Sequence, residues 1–225
     1  MKYSWLLFDA DDTLFDFPKA EANTLQWTLE QAGLPFLPEF CGLFSQFNQQ
    51  VWREFERDEI THVALRVKRF RLFFDEAQLH SDPEKISPLY LRNLALGRDL
   101  LADAEEVIRA LKNVYRLAIV TNGIKEVQRP RLEGSNIRDC FEKLFISDEI
   151  GAAKPSRAYF DAVFHELGQP PKETVLIIGD NLNTDMQGGI NYGIQTCWYN
   201  PKGQTSSLPV THTIADLKEL ISLLV

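Results

Sequence analysis

Three carboxylates crowd the end of an apolar run near the start of the chain. Asp9, Asp11 and Asp12 follow Trp5-Leu6-Leu7-Phe8, which reads as a buried strand too short for a helix. Burial disfavours ionised carboxylates, and like charges disfavour one another, so the cluster calls for a cation. A carboxylate screened by a cation can attack phosphorus and split hydrolysis into two steps. Asp9 stands first after the strand and is held most rigidly, which makes it the candidate nucleophile.

Further chemistry-bearing residues follow later apolar runs. Thr121-Asn122-Gly123 closes one run, Lys154-Pro155 lies on a loop after another, and Gly179-Asp180 ends a third, with Asp185 five residues beyond Asp180. Mg²⁺ takes hard oxygen ligands and leaves positions for water and phosphate. The carboxylates of Asp9 and Asp180 and the backbone carbonyl of Asp11 are the expected ligands, with Mn²⁺ as a substitute. The Asp11 side chain, two residues past Asp9, can swing to the far side of phosphorus as general acid and then general base. Lys154, the Thr121 hydroxyl, Asn122 and backbone N–H groups of the Asp11–Asp12 turn are expected to hold the substrate's phosphoryl group. Asp185 is expected to orient Lys154 or metal-bound water.

Each piece also has a plain reading. Asp11-Asp12 alone fits a solvated turn or helix cap, and Thr121-Asn122-Gly123 an ordinary strand-to-loop turn. Lys154 alone fits a surface lysine, and Gly179-Asp180 through Asp185 a turn and helix N-cap. Four signals in order, each at the end of an expected parallel strand, favour the functional reading.

The elements that must position them alternate. Strands are expected over Tyr3–Phe8, Arg116–Val120, Lys143–Ile146, Thr174–Ile178 and Ile194–Trp198. Helices are expected over Asp103–Lys112, Lys125–Leu132, Ser156–Leu167, Thr184–Asn191 and Ile214–Leu224. This is the pattern of an α/β fold: a doubly wound, Rossmann-like parallel sheet whose ligands bind beyond the carboxyl ends of the strands. Between residues 16 and 98 the texture is helical throughout, with Ala20–Gln31, Glu39–Arg57, Thr61–Ala77 and Pro83–Leu96 as helices. The domains are therefore read as a core over 1–15 and 99–225 and an inserted all-helical cap over 16–98.

Composition narrows the classes. The 225 residues carry a net charge of -8, which argues against nucleic acid or an anionic membrane surface as partner. No apolar stretch reaches the ~18 residues of a membrane span, and the N-terminus lacks a signal-peptide pattern. Three dispersed cysteines, Cys41, Cys140 and Cys197, fit reduced thiols in a cytoplasmic protein. The four histidines show no metal-ligand spacing.

Asp9-Ala10-Asp11-Asp12-Thr13, Thr121-Asn122-Gly123, Lys154-Pro155 and Gly179-Asp180 with Asp185 resemble, in order, the four motifs of the haloacid dehalogenase superfamily of phosphohydrolases. The resemblance spans the chain, since the helical insert stands where that family carries its first type of cap. It implies the α/β core, Mg²⁺, an aspartyl-phosphate intermediate, and a cap that covers the site. The second acid of the first motif, Asp11, points to phosphate transfer, since dehalogenases lack it. Finer similarity in Phe8–Phe15, Ile119–Gly123, Ile150–Pro155 and Asp185–Ile190, with cap residues Trp52, Ile60-Thr61 and Arg69-Phe70, resembles the pyrimidine 5′-nucleotidases that act on non-standard nucleotides.

That branch implies a small phosphate ester, a nucleoside monophosphate, as substrate, on a monomer or homodimer. Trp52 and Arg69 are then the expected substrate contacts in the cap, while Phe40, Phe44, Phe47 and Phe55 form a stripe that reads as cap core. The alternatives are another small-phosphate hydrolase or mutase, acting on a sugar phosphate or phosphoglycolate, and a non-catalytic binding module.

Overall fold

The computed structural model describes residues 2–225. The described chain divides into two compact units, one of residues 2–16, 100–125 and 132–225, the other of residues 17–99 and 126–131.

The second unit is helical: α1 (Phe17–Gln31), α2 (Glu39–Glu56), α3 (His62–Glu76) and α4 (Pro83–Leu94). Local chemistry sets the ends. Gly33, at φ 69°, stops α1, because a left-handed residue lets the chain leave the helix without a Cβ clash. Thr61 Oγ1 accepts from the Ala64 N–H and starts α3, and Asp82, with Pro83 after it, starts α4. Phe44, Phe70, Phe73 and Tyr90 pack edge-on and tilted at centroid separations of 5.1–5.5 Å. Aromatic pairs favour such tilted and edge-on arrangements. Residues 126–131 lie within α6 (Lys125–Glu133) and group with this unit: Arg66 forks onto both carboxylate oxygens of Glu126, and Arg131 Nε donates to the Gly97 carbonyl. The expected 16–98 boundary does not include that segment.

The first unit is the α/β core. Among the described residues its sheet has the strands β1 (Trp5–Phe8), β2 (Arg116–Thr121), β3 (Lys143–Ile146), β4 (Val175–Gly179), β5 (Gln195–Tyr199) and β6 (His212–Ile214). Their order is β3-β2-β1-β4-β5-β6, and every neighbouring pair is parallel. The chain winds from β1 outward through β2 and β3, then returns to the other side of β1 for β4. The switch point thus falls between β1 and β4, where ligands of such sheets bind.

Both faces of the sheet are covered. Leu6 and Phe8 of β1 pack with Val107, Ile108 and Leu111 of α5 (Ala104–Leu111) and Leu220 of α10 (Glu219–Leu224). Trp5 and Leu7 pack with Tyr159, Phe160 and Val163 of α8 (Arg157–Leu167). The remaining helices are α7 (Ser147–Ile150) and α9 (Gln187–Tyr192). All four β1 side chains are buried, each worth about 1.5–3 kcal/mol when fully removed from water. That drive carries Asp9 to the edge of the core.

Two elements depart from the sequence reading: the helix expected over Thr184–Asn191 is a π-helical segment over Leu182–Met186 followed by α9, and the C-terminal segment also differs. The expected final helix over Ile214–Leu224 is instead strand β6, a turn, and the shorter α10. His212, Thr213 and Ile214 pair with Cys197, Trp198 and Tyr199, so the backbone partner overrides local helical spacing. Cys41, Cys140 and Cys197 are free thiols. Among the described residues no helix is long and apolar enough to cross a membrane.

Candidate active site

β1, β2 and β4 bring the sequence-predicted core residues to one edge of the sheet. Phe8 stands level with Ile119 and Ile178, and the Asp9 N–H continues the ladder to the Ile178 carbonyl at 2.9 Å. Asp9 therefore leaves its strand level with Gly179, one residue before Asp180. The turn after Asp9 folds back on itself: the N–H groups of Leu14 and Phe15 donate to the Ala10 carbonyl, and Asp12 sits at φ 60°. Aspartate tolerates that left-handed conformation better than most residues.

Lys154 is the hub. Its ammonium donates to Asp9 Oδ1 at 2.6 Å, to Asp185 Oδ1 at 2.6 Å and to the Val120 carbonyl at 2.7 Å. Lys154 is 2% exposed and Asp185 0%. The three donors of an ammonium are thereby used. Burial would lower the Lys154 pKa, but Asp185 and Asp9 overcome it and hold the group charged. The sequence reading gave Lys154 a direct grip on the phosphoryl group. The structure instead puts it on the carboxylates, and a phosphoryl oxygen would have to displace one of these partners.

Asp9, Asp180 and Asp185 each offer a carboxylate oxygen, all within 4.8 Å of one another. Burial raises the Asp9 pKa well above the usual carboxylate range, Lys154 pulls it down, and Asp185 and Asp180 push it up. Asp180 is pushed up to about 7 by burial, then by Asp185 and Asp12. Two buried acids and the half-buried Asp180 beside one ammonium leave negative charge uncompensated, and oxygen donors at this spacing suit a hard divalent cation. Asp11 is half-buried and bridges to Phe15, outside the three-carboxylate cluster.

Two groups expected on substrate have partners within the protein. The Asp12 N–H donates to the Phe15 carbonyl at 2.9 Å, so closing the turn takes it away from a phosphoryl oxygen. Asn122 was expected on substrate, but its amide lies against the Lys154 backbone. Nδ2 donates to the Lys154 carbonyl and Oδ1 accepts from the Lys154 N–H, both at 2.8 Å. Thr121 is 2% exposed, and its hydroxyl oxygen accepts from the Gly123 N–H at 3.0 Å.

Two further candidates belong to the helical unit. Trp52 is half-buried and packs edge-on against Phe55 and His62. Arg69 is 1% exposed inside that unit. It donates from Nη1 to Asn48 Oδ1 at 3.1 Å, Asn48 donates to Glu21 Oε1 at 2.7 Å, and the guanidinium stacks on Tyr90 at 4.7 Å. Its neighbours are the unit's own core.

Sequence reasoning missed two supports. Thr13 Oγ1 donates to Asp180 Oδ1 and accepts from the Asp180 N–H. Trp198 Nε1, 4% exposed on β5, donates to the Asp180 carbonyl at 2.9 Å. A buried indole N–H needs an acceptor, which was the available signal. Asn181 caps the turn after β4, accepting at Oδ1 from the N–H groups of Asn183 and Thr184.

The four strand-end motifs on a 3-2-1-4-5-6 parallel sheet define a class of hydrolase. The model of the haloacid dehalogenase-like hydrolases matches residues 3–193, and the chain belongs to that family. It is 35% identical to the HAD-hydrolase YfnB of Bacillus subtilis over 99% of this chain and 96% of that protein. It is 33% identical to the pyrimidine 5′-nucleotidase YjjG of Escherichia coli, over 100% of this chain and 99% of that one. The pyrimidine 5′-nucleotidase PynA of Streptococcus pneumoniae is 31% identical over 100% of this chain and 96% of its own length. A crystal structure of YfnB bound to magnesium superposes with a TM-score of 0.93 at 34% identity, covering 100% and 99% of the two chains.

Proposed function

We propose that the chain is a Mg²⁺-dependent phosphohydrolase that works through an aspartyl-phosphate on Asp9 and takes pyrimidine nucleoside monophosphates as its preferred substrates. The observation that carries the reading is the grip of Lys154 on Asp9 beside Asp180 and Asp185, at the switch point of the sheet. The full-length similarity to two pyrimidine 5′-nucleotidases supports the substrate class.

Asp9 and Asp180, with the backbone carbonyl of Asp11, would hold the Mg²⁺. When bound, the ion neutralises phosphoryl oxygens and draws charge from the reacting phosphorus. The chain's own residues supply the rest. Lys154 engages one carboxylate oxygen of Asp9 and favours its ionised form against the burial that opposes it, and the other oxygen attacks phosphorus. The ester P–O bond breaks as the Asp11 carboxylic acid delivers its proton to the leaving alkoxide. Asp11, now a carboxylate, takes a proton from water, which attacks phosphorus, breaks the bond to Asp9 and releases phosphate. Thr121 stands at the end of β2 for the transferring group, Asp185 fixes Lys154, and Thr13 fixes Asp180.

The deciding experiment is phosphate release with Mg²⁺ from dUMP, UMP and dTMP beside sugar phosphates and phosphoglycolate. Faster turnover of the nucleotides supports the reading. Poor nucleotide turnover with efficient sugar-phosphate hydrolysis moves the chain to another phosphatase class.

A further inference from the structure

Lys154 has to deliver its ammonium between Asp9 and Asp185 from a loop, not from a strand or helix. Asn122 makes up for that. It follows the last residue of β2 and meets the Lys154 backbone with a pair of hydrogen bonds, one in each direction, both 2.8 Å. A side-chain amide used in this way copies the donor and acceptor of a peptide unit, so it pairs with a backbone as a neighbouring strand would. It spends the amide's oxygen and one of its N–H donors on one residue.

The pair joins two places 32 residues apart. Between them the chain passes through α6, β3, α7 and a turn at Gly151, whose φ is 77°. From the anchored backbone, the Lys154 side chain runs inward to the Val120 carbonyl and the two carboxylates. Val120 is two residues before Asn122. The end of β2 thus holds Lys154 at both its backbone and its ammonium. Charge-assisted bonds of 2.6 Å lose strength quickly with displacement.

We propose that Asn122 is a positioning residue that sets the place of the Lys154 ammonium against Asp9 and Asp185. It acts on the chemical step through Lys154, without touching the substrate. This deepens the phosphohydrolase reading and rests on it for its kinetic test. Asn122→Asp keeps an acceptor for the Lys154 N–H but turns an oxygen toward the Lys154 carbonyl, so it should be no better than Asn122→Ala.

A double-mutant cycle tests it, with phosphate release from dUMP and from p-nitrophenyl phosphate in Mg²⁺. Asn122→Ala should lower kcat by about tenfold or more, as misplacement by a fraction of an ångström does, and change KM by less than about threefold on either substrate. In a Lys154→Ala background the same substitution should cost less than about twofold, because the residue it positions is gone. A second measurement needs no turnover: amine labelling of the intact protein, read by peptide mass spectrometry. Lys154 should be protected in the parent and label about tenfold faster in Asn122→Ala, with Lys143 and Lys202 unchanged as internal controls. A rise in KM that persists at full size in the Lys154→Ala background would overturn the proposal and return Asn122 to the substrate. Unchanged labelling of Lys154 would overturn it as well. If the parent hydrolyses no ester, the functional reading falls while the labelling still decides the placement of Lys154.

Discussion

Thr13 and Asp180, 167 residues apart, exchange two hydrogen bonds: the Thr13 hydroxyl donates to Asp180 Oδ1 at 3.3 Å and accepts from the Asp180 N–H at 3.1 Å. One hydroxyl thus ties the loop after β1 to the end of β4 and fixes both the backbone and the carboxylate of a proposed metal ligand. Thr13→Val keeps the shape and removes both bonds. It should weaken Mg²⁺ binding by about tenfold or more, the usual scale for a partner of a metal ligand, while Thr13→Ser stays near the parent. Isothermal titration of the metal-free protein with Mg²⁺ reads this directly.

The acid cluster predicts a stability that falls as pH rises when metal is absent. Asp180 has a folded pKa of about 7 against an ordinary value of 3.8, and the pKa of Asp9 is also raised. Between those values the folded state binds more protons than the unfolded state, so stability falls as pH rises through about 4 to 7. At pH 7 these groups oppose folding in the metal-free protein. Thermal melts in chelator should give a higher Tm at pH 5.5 than at pH 7.5, and saturating Mg²⁺ should raise Tm most at the higher pH. A metal-free Tm that climbs steadily from pH 5.5 to 7.5 would contradict this.

Gly179 lets Asp185 approach the strand. A methyl group at that position would overlap the Asp185 carboxylate and lie 2.8 Å from its Cβ. Gly179→Ala should therefore push Asp185 off Lys154 and lower kcat by about tenfold or more, with the loss of orientation exceeding any change in KM. Steady-state kinetics beside a thermal melt separate this from simple unfolding.

In the helical unit the prediction concerns stability. Arg69 is enclosed with Asn48, Glu21 and Tyr90, and burial raises the Glu21 pKa. Removing Arg69 leaves Asn48 Oδ1 without its donor and empties the space the guanidinium fills against Tyr90, so the loss is one of core packing and buried hydrogen bonding. Arg69→Ala should lower Tm markedly, and the residual folded enzyme should keep its KM. An unchanged Tm with a large rise in KM would restore Arg69 to the substrate.

Much of the core was legible because its signals are local. The apolar run Trp5–Phe8 ends at Asp9, Lys143–Ile146 forms the expected strand, and Thr61 caps α3 as its position implies. β6 was not legible: three residues make too short a pattern, and only pairing with Cys197–Tyr199 makes them a strand. The site followed the same division. The acids at the strand ends could be picked out by type and place. Which atoms they meet could not: the two bonds from Asn122 to Lys154 and those from Thr13 to Asp180 join residues far apart in sequence. Arg69 misled for the converse reason. A charged residue on a helix reads as available, and only the packing of three helices encloses it.

In the proposed mechanism Asp9 carries the phosphoryl group. Rapid acid quench of the Mg²⁺-loaded protein during turnover of dUMP, followed by peptide mass spectrometry, tests it directly. One phosphoryl group is expected on the peptide containing Asp9, lost on brief exposure to base, and neither this adduct nor turnover is expected in Asp9→Asn. Full turnover by Asp9→Asn, or a phosphoryl group trapped on a different residue, would contradict it.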